Sequence, residues 1–444
     1  MSLYNLFAEN VILPLSDVLL KRNIKGNLDF LMDSQWWSRE KIIEYQNKRL
    51  RALILHSYEN VPYYTNLFKR LKLTPSDFQT VKDLIKLPIL TKSEIKKNRD
   101  SLLAKNIEKK DTMQICSSGS TGEPLCYFLD KKAYGFQMAT NLRGLYWHGF
   151  RLGDKNIKIS QNERNTLEKR VQDFLNRTTY VFSKHLTSEN IQSTIDKIIE
   201  TKPKLIYGYP DPLKFMADYI IRNNISMPAP KLINTSGNIL FPENRKQIET
   251  AFGTKIADAY SCEGAPNLFQ CNHSSMYHIS MEYAITEVLN LNDTKAKYGR
   301  LITTNLHNYA MPFIRYDTQD FIQTEDVVCG CGRELDVVGK ISGRDSDILK
   351  APSGKYLIVH NFTGYFEYLD SIKQFQVRQE AIDFFRILIM VEDNFSSSLK
   401  AEIELYWKNY IGSEAKVIVD IVESIPLEKS GKRRFLIRDN KIIL

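Results

Sequence analysis

The segment Cys116-Ser-Ser-Gly-Ser-Thr-Gly-Glu-Pro124 alternates glycines with hydroxyl residues, as a backbone must if it is to wrap a polyphosphate. Gly119 and Gly122 let the chain turn and approach a ligand without Cβ interference, so that successive N–H groups converge on anionic oxygens. Ser117, Ser118, Ser120 and Thr121 add hydroxyl donors to the same surface. The segment is not a Walker A loop, because Glu123 and Pro124 stand where a lysine and a hydroxyl residue are required. Nor is it a nucleophile elbow, since Ser120-Thr121 fills the gap between the glycines without a spacer on either side. Taken alone, such a cluster reads equally well as a solvated linker.

Other polar sites accompany it. Ser236-Gly237-Asn238 closes a strand-like run, and a strand's carboxyl end is where α/β sheets bind ligands. Asp258-Ala-Tyr-Ser-Cys-Glu-Gly264 offers an aromatic face at Tyr260 and a carboxylate at Glu263. Ile314-Arg-Tyr-Asp-Thr-Gln-Asp320 supplies Asp320, an acceptor-only group able to take two sugar hydroxyls. Ser342-Gly-Arg-Asp-Ser-Asp347 follows, and Ile425-Pro-Leu-Glu-Lys-Ser-Gly-Lys432 is a glycine-flexed loop that could carry an ammonium group into a cleft.

In this order and spacing the motifs resemble those of the adenylate-forming (acyl-CoA synthetase, ANL) superfamily, nearest to its phenylacetate-CoA ligase and CapK-like capsular polysaccharide branch. Val61-Pro-Tyr-Tyr64, Leu87-Pro-Ile-Leu-Thr-Lys92, Thr303-Thr-Asn-Leu-His-Asn-Tyr-Ala-Met-Pro312, Cys329-Gly-Cys-Gly-Arg333 and Ser430-Gly-Lys432 extend the resemblance over nearly the whole chain. It implies that Ser117, Ser118, Gly119, Ser120, Thr121 and Gly122 hold the β- and γ-phosphates of ATP, and that Ser236, Gly237 and Asn238 with Tyr260 frame the adenine. Asp320 would bind the ribose, Arg344 would lie near ribose and phosphates, and Glu263 with Thr121 would help place Mg²⁺. Lys432 matches the family's catalytic lysine. The chemistry agrees with these residue types, because carboxylate attack on the α-phosphate brings two anions together and demands donors and cations. The implied function is an AMP-forming ligase that activates a carboxylate as its acyl-adenylate. The acyl group would pass to coenzyme A or to another thiol, amine or hydroxyl acceptor, in surface-polysaccharide biosynthesis on the CapK-like reading. The alternative is a catalytically altered nucleotide-binding relative acting as a binding or assembly protein. Three departures from the family pattern stand out: Tyr260-Ser-Cys-Glu263 is one residue short, Gln319 replaces a glycine, and Ser346 stands at the usual hinge position.

A second constellation joins Cys271, His273 and His278 to Cys329-x-Cys331. Cys271, His278, Cys329 and Cys331 form a candidate Cys₃His zinc site of structural type. His278 is preferred to His273 because it lies at the start of a strand-like run and fits the family's zinc-containing members better. The six cysteines are otherwise unevenly spaced, and all are expected as reduced thiols.

These residues need a scaffold. Lys41–Leu55 has apolar residues at helical spacing, with Val61-Pro-Tyr-Tyr64 as a break, and predicts a helical N-terminal region. Beyond the Ser/Gly loop, strand-like and helical runs alternate: Leu125–Leu129, then Tyr134–Tyr146; Leu205–Tyr207, then Pro212–Arg222; Lys231–Asn234, then Pro242–Phe252. That rhythm predicts an α/β fold. After Gly343-Arg344 the pattern becomes α+β, with strands near Phe375–Val377, Phe385–Val391 and Ala415–Ile421 and a helix over Ser397–Trp407. The expectation is a large multi-layer α/β adenylation domain over residues 1–343 and a small mobile α+β domain over 344–444 that carries Lys432.

A chain of 444 residues, 43% hydrophobic and 25% charged, suits a two-domain globular protein. No uninterrupted apolar run of membrane-spanning length and no signal-peptide pattern occur, so a cytoplasmic protein without a transmembrane segment is expected. The net charge of +9 favours anionic ligands, but basic and acidic residues are interspersed and no nucleic-acid module is present, which argues against DNA or RNA as partner. Leu3–Leu20 is apolar enough for peripheral membrane contact, yet Glu9 and Asp17 lack a matching basic face, and packing on the protein's own core is the expectation.

Overall fold

The computed structural model describes the chain except residues 117–124, 161–163, 165, 183–187, 263, 265–266, 291, 345–347, 354–355, 367–368, 370, 427–433, 440–441 and 443–444. It divides into two compact units, the first built from most of residues 1–340 and the second from 341–444 with Gln319–Phe321.

The first unit begins with helices whose ends the sequence dictates. In Arg39–Asn60 the Ser38 hydroxyl accepts the Lys41 N–H, and Ile42, Gln46, Leu50, Leu53, Ile54 and Ser57 are buried at helical spacing. Pro62 forces Val61 into extended backbone (φ −112°, ψ 106°) and then starts a new helix, Pro62–Leu71. Val61 alone is therefore the break; Tyr63 and Tyr64 are helical. Buried Tyr64 donates to the Pro312 carbonyl (3.0 Å) and accepts the Ile314 N–H (3.1 Å), which ties the helical layer to a core shared with Leu125, Tyr127, Leu129 and Phe313.

Strands β1 (Thr112–Cys116) and β2 (Cys126–Asp130) form an antiparallel hairpin. Their register sets Cys116 opposite Cys126, and a disulfide joins the two. Two of the six cysteines are thus not free thiols, because strand pairing brings together residues that sequence spacing alone leaves unrelated. Asp130 ends β2 and caps the Lys131–Trp147 helix by accepting the Ala133 N–H (2.7 Å).

The main sheet takes in β3 (Asn156–Ser160), β4 (Thr178–Phe182), β5 (Leu205–Gly208), β6 (Leu232–Ser236), β7 (Ile256–Tyr260), β8 (Leu268–Gln270), β9 (Tyr277–Ile279), β10 (Ala284–Leu289), β11 (Tyr298–Asn305), β12 (Tyr316–Glu325) and β13 (Val337–Arg344). Its order is β10-β11-β12-β13-β9-β8-β7-β6-β5-β3-β4. From β4 to β7 every pairing is parallel, with helices as crossovers, whereas β7–β8, β8–β9 and β9–β13 are antiparallel. Ile157, Ile206, Ile233, Leu213 and Phe252 are fully buried between the parallel strands and their helices. Beneath β9 and β10, Arg143 forms a buried two-pronged ion pair with Glu282 (2.7 and 3.2 Å), and Ser34 donates to the same carboxylate (2.7 Å).

In the second unit a four-stranded sheet sets β16 (Ile372–Ala381) antiparallel to β17 (Phe384–Val391), and β18 (Lys416–Ile421) lies parallel to β17. The short strands β14 (Ile348–Lys350) and β15 (Tyr356–Ile358) make a separate pair, and β19 (Leu436–Arg438) closes the sheet beside β16. The Ser397–Ile411 helix buries Trp407 in a ring stack on Phe362 (4.2 Å).

One buried carboxylate stitches three strands of the main sheet. Asp258 of β7 accepts the Thr235 hydroxyl of β6 and the Tyr277 hydroxyl of β9 (2.8 Å), with Arg245 as the nearby cation. Burial lifts its pKa to about 6, against the opposing pull of those hydrogen bonds. An acid whose folded pKa exceeds its unfolded value binds its proton more tightly when folded. Its contribution to stability is therefore present near the unfolded value of about 4 and is lost as pH rises through 6. Denaturant unfolding of wild type and Asp258→Asn should show the difference between them moving in favour of wild type by about 1.4 kcal/mol between pH 7.5 and pH 5. A difference independent of pH would contradict the raised pKa.

Candidate functional site

Parallel strands β5, β6 and β7 end on one edge of the sheet, and the residues just past them gather there. Ser236 is the last residue of β6, and its hydroxyl bonds the Tyr207 hydroxyl from β5 (2.6 Å). Gly237 follows with φ +85°, a left-handed conformation that strains any residue with a side chain, and an added Cβ would stand 2.6 Å from the Tyr209 ring. Asn238 donates to Asp211 (3.1 Å) in the first turn of the Pro210–Arg222 helix. Tyr260 ends β7 on the same edge.

Helices Pro210–Arg222 and Pro242–Phe252 both start beside this edge, each with proline in its first turn and no side-chain cap. Their leading N–H groups and positive dipole ends suit an anionic ligand. Lys158 of β3 lies over the Tyr207 ring (5.2 Å), and burial lowers its pKa. Lys158, Tyr207 and Tyr209 belong to this edge although no motif marks them. The one signal in the sequence was the pair of aromatic residues flanking Gly208 at a strand end.

Ser236, Gly237, Asn238 and Tyr260 thus come together on one edge. Asp320 is buried in β12, and Gln319 beside it has φ +64°, so this residue, expected as glycine from the resemblance, occupies the backbone region glycine favours. Arg344 ends β13, and its side chain is not among those described. Ser117, Ser118, Gly119, Ser120, Thr121 and Gly122, together with Glu263 and Lys432, lie outside the described residues.

The second cluster is compact. The ligating atoms of Cys271, His278, Cys329 and Cys331 all lie within 4.8 Å of one another. Cys271 follows β8, His278 lies in β9, and both other thiols come from the loop between β12 and β13. The Cys271–Cys329 sulfur separation is 3.6 Å, and Cys331 Sγ lies 3.3 Å from His278 Nε2. A tetrahedral zinc with Zn–S near 2.3 Å sets ligand atoms about 3.8 Å apart, which this donor set matches. His278 is fully buried and its pKa falls to about 4, first through burial and then through the neighbouring Arg333 charge, which leaves the neutral imidazole a metal needs. The His273 N–H points at Cys271 Sγ (3.4 Å), as it would toward a thiolate, so His273 contributes its backbone to the cluster. Burial raises the Cys271 thiol to about 11 in the absence of a cation, the cost that a bound metal would offset.

The two sites are connected. Tyr277, adjacent to His278 in β9, is the donor to Asp258 two residues before Tyr260. Gln270, adjacent to Cys271, accepts the Asp258 N–H (3.1 Å) and Arg245 (2.9 Å).

Comparisons with known proteins agree with this architecture. Residues 349–439 match the model of the CapK C-terminal domain. Protein CapK of Staphylococcus aureus is 23% identical over 419 residues, covering 90% of this chain and 90% of that protein. The phenylacetate-coenzyme A ligase of Thermus thermophilus is 24% identical over 355 residues, covering 70% of this chain and 72% of its own length. Among solved structures, a 2-hydroxyisobutyryl-CoA ligase in the postadenylation state superposes with a TM-score of 0.73 at 15% identity, covering 92% of this chain and 93% of that one. At that identity the likeness establishes the fold. The chain is therefore a relative of protein CapK and of the phenylacetate-coenzyme A ligases, with the fold of the adenylate-forming CoA ligases and a CapK-type C-terminal region.

Proposed function

We propose that this protein is an AMP-forming ligase: it joins a small-molecule carboxylate to the α-phosphate of ATP, releases pyrophosphate, and passes the acyl group to coenzyme A or another nucleophilic acceptor. The observation that carries this reading is the carboxyl edge of β5–β7, where Ser236, Gly237, Asn238 and Tyr260 meet two uncapped helix N-termini. A carboxylate oxygen attacks the α-phosphorus while the bond to pyrophosphate breaks; the acceptor then attacks the acyl carbon and AMP leaves. Both steps build negative charge, which N–H groups and cations oppose. The proposed roles are phosphate binding by Ser117–Gly122, adenine contact by Ser236–Asn238 and Tyr260, ribose binding by Asp320 and charge neutralisation by Arg344. Lys432, in a C-terminal domain proposed to be mobile, would steer the α-phosphate. Glu263 and Thr121 would hold Mg²⁺, which supplies charge neutralisation on the phosphates when bound. Surface-polysaccharide modification is the proposed context, on the strength of the CapK relationship alone.

ATP–pyrophosphate exchange across aromatic, aliphatic, hydroxy and amino acids tests the reading. At least one acid should support exchange, and Lys432→Ala should lower it by about a hundredfold or more. No exchange with any acid would turn the reading toward a nucleotide-binding relative without the chemistry. Gly237→Ala should raise the KM for ATP by about tenfold, because the left-handed turn and the Tyr209 contact both resist a methyl group.

We also propose that Cys271, His278, Cys329 and Cys331 hold a structural zinc ion that fastens β8 and β9 to the β12–β13 loop. Metal analysis of purified protein should find about one zinc per chain, and Cys329→Ser should lose it and lower the melting temperature. Zinc-free wild-type protein of full stability would end this proposal.

A further inference from the structure

The helical run Leu3–Phe7, Ala8–Ile12 and Leu13–Leu20 packs Leu13 and Ala8 inward but leaves most of its large apolar residues outside the core, contrary to the expectation from its composition. Apart from Leu13, its inner face is polar or small. Asn5 is fully buried and donates to the Leu152 carbonyl (2.9 Å) and to Asp154 (3.0 Å), and Glu9 accepts the Tyr146 hydroxyl (2.6 Å). Asp17 is buried and accepts the Lys25 N–H (2.7 Å). Leu3 (86% exposed), Phe7, Val11, Leu15, Val18 (78%) and Leu19 (81%) project into solvent instead. By composition the run could cross a membrane, but its polar bonds hold it flat along the protein.

A second helix extends the surface. Tyr4 donates to the Leu175 carbonyl (2.9 Å), which places the Leu167–Leu175 helix beside the N-terminal run. Leu167 (78%), Val171 and Phe174 (80%) are exposed at helical spacing on it. Two neighbouring helices therefore present unpartnered apolar residues, more than isolated surface leucines would explain.

Charge selects the occupant. Both carboxylates of the N-terminal run turn inward, so its outer face carries no acid. At one end Arg177 lies over the Tyr4 ring, and exposed Lys169 and Arg170 stand on the adjacent helix with one acid, Glu168, between them and exposed Leu167. At the other end Lys21 bonds Asp111, and Lys131 bonds the Lys110 carbonyl, which gathers Lys109, Lys110 and Lys132 around Glu108 and Asp111. An apolar stripe with cations at both ends suits an anionic bilayer surface, where apolar side chains enter the acyl boundary and lysines meet the headgroups. A second copy of a chain with net charge +9 would bring like charges together at the same ends.

We propose that the Leu3–Leu20 run and the Leu167–Leu175 helix form a peripheral docking surface for an anionic lipid membrane. The full chain is tested by co-sedimentation with vesicles of phosphatidylcholine containing about 30% phosphatidylglycerol, and with phosphatidylcholine alone. Wild type should bind the anionic vesicles about tenfold or more tightly than the neutral ones, and salt should weaken the binding. The combined variant Leu3→Ser, Phe7→Ser, Val18→Ser and Leu19→Ser should lose about tenfold or more with an unchanged melting temperature, since these side chains touch little else. Lys109→Glu with Lys110→Glu and Lys132→Glu should remove the preference for anionic lipid, whereas Leu405→Ser, exposed in the other unit, should change nothing. Absence of vesicle binding, or binding that all variants retain, would overturn the proposal. So would a concentration-dependent wild-type dimer in analytical ultracentrifugation that the serine variant abolishes, since the stripe would then serve a protein partner. None of these readouts depends on ligase activity.

Discussion

The Asp258 carboxylate is the point through which the main sheet is held in register. It lies on β7, yet its two hydroxyl donors come from β6 on one side and from β9 beyond β8 on the other. Without it, the change from parallel to antiparallel pairing at β7–β8 would rest on the backbone ladder and the Gln270 side chain, and two buried hydroxyls, of Thr235 and Tyr277, would lose their acceptor. The same bonds reach both sites. Tyr277 and Gln270 are the chain neighbours of His278 and Cys271, and Tyr260 lies two residues beyond Asp258, so the Cys271–His278 cluster and the strand end at Tyr260 share one hydrogen-bonded frame. The proposed zinc, if held by these four side chains, would have no open coordination position and would act only by fixing backbone.

Local rules were strong where punctuation was strong. The Pro242–Phe252 helix has the bounds its proline, periodicity and following Gly253 imply, and Arg39–Asn60 starts at the serine cap. Val61-Pro-Tyr-Tyr64 was less legible. Proline both ends one helix and begins the next, and only the following periodicity separates a break from a kinked pair. Tyr207, Tyr209 and Lys158 were not legible, because their place on the edge depends on which strands are neighbours, a property of topology rather than of spacing. The Cys116–Cys126 bond escaped for the same reason: ten residues of separation fits many arrangements, and only the hairpin register selects this one.

The N-terminal run shows a different failure. Its composition is that of a core segment, and the two acids within it, without a matching basic face, argue against a membrane surface. In the structure those acids and Asn5 anchor the run together with buried Leu13, and the other leucines are the surface. Amphipathicity fixes that a helix has two faces; which face turns inward depends on whether the protein offers partners for the polar one. Here Leu152, Asp154 and Tyr146 offer them, and hydrogen bonds add to the burial of Leu13 and Ala8 as the means of attachment.

Gln319 follows from the same distinction between a position and its occupant. The resemblance read from the sequence implies glycine there, and the backbone of this chain has the left-handed conformation that glycine favours, at φ +64°. A side chain in that region costs about 1 kcal/mol, which β12 tolerates because Thr318, Asp320 and Phe321 around it are buried and the strand is fixed on both sides of the sheet. The Gln319 side chain therefore stands next to Asp320 in a strand whose adjoining residues are already packed. Buried Thr318, Asp320 and Phe321 beside it leave a left-handed residue little room to relax, so the position of Asp320 depends on the packing of β12 as a whole.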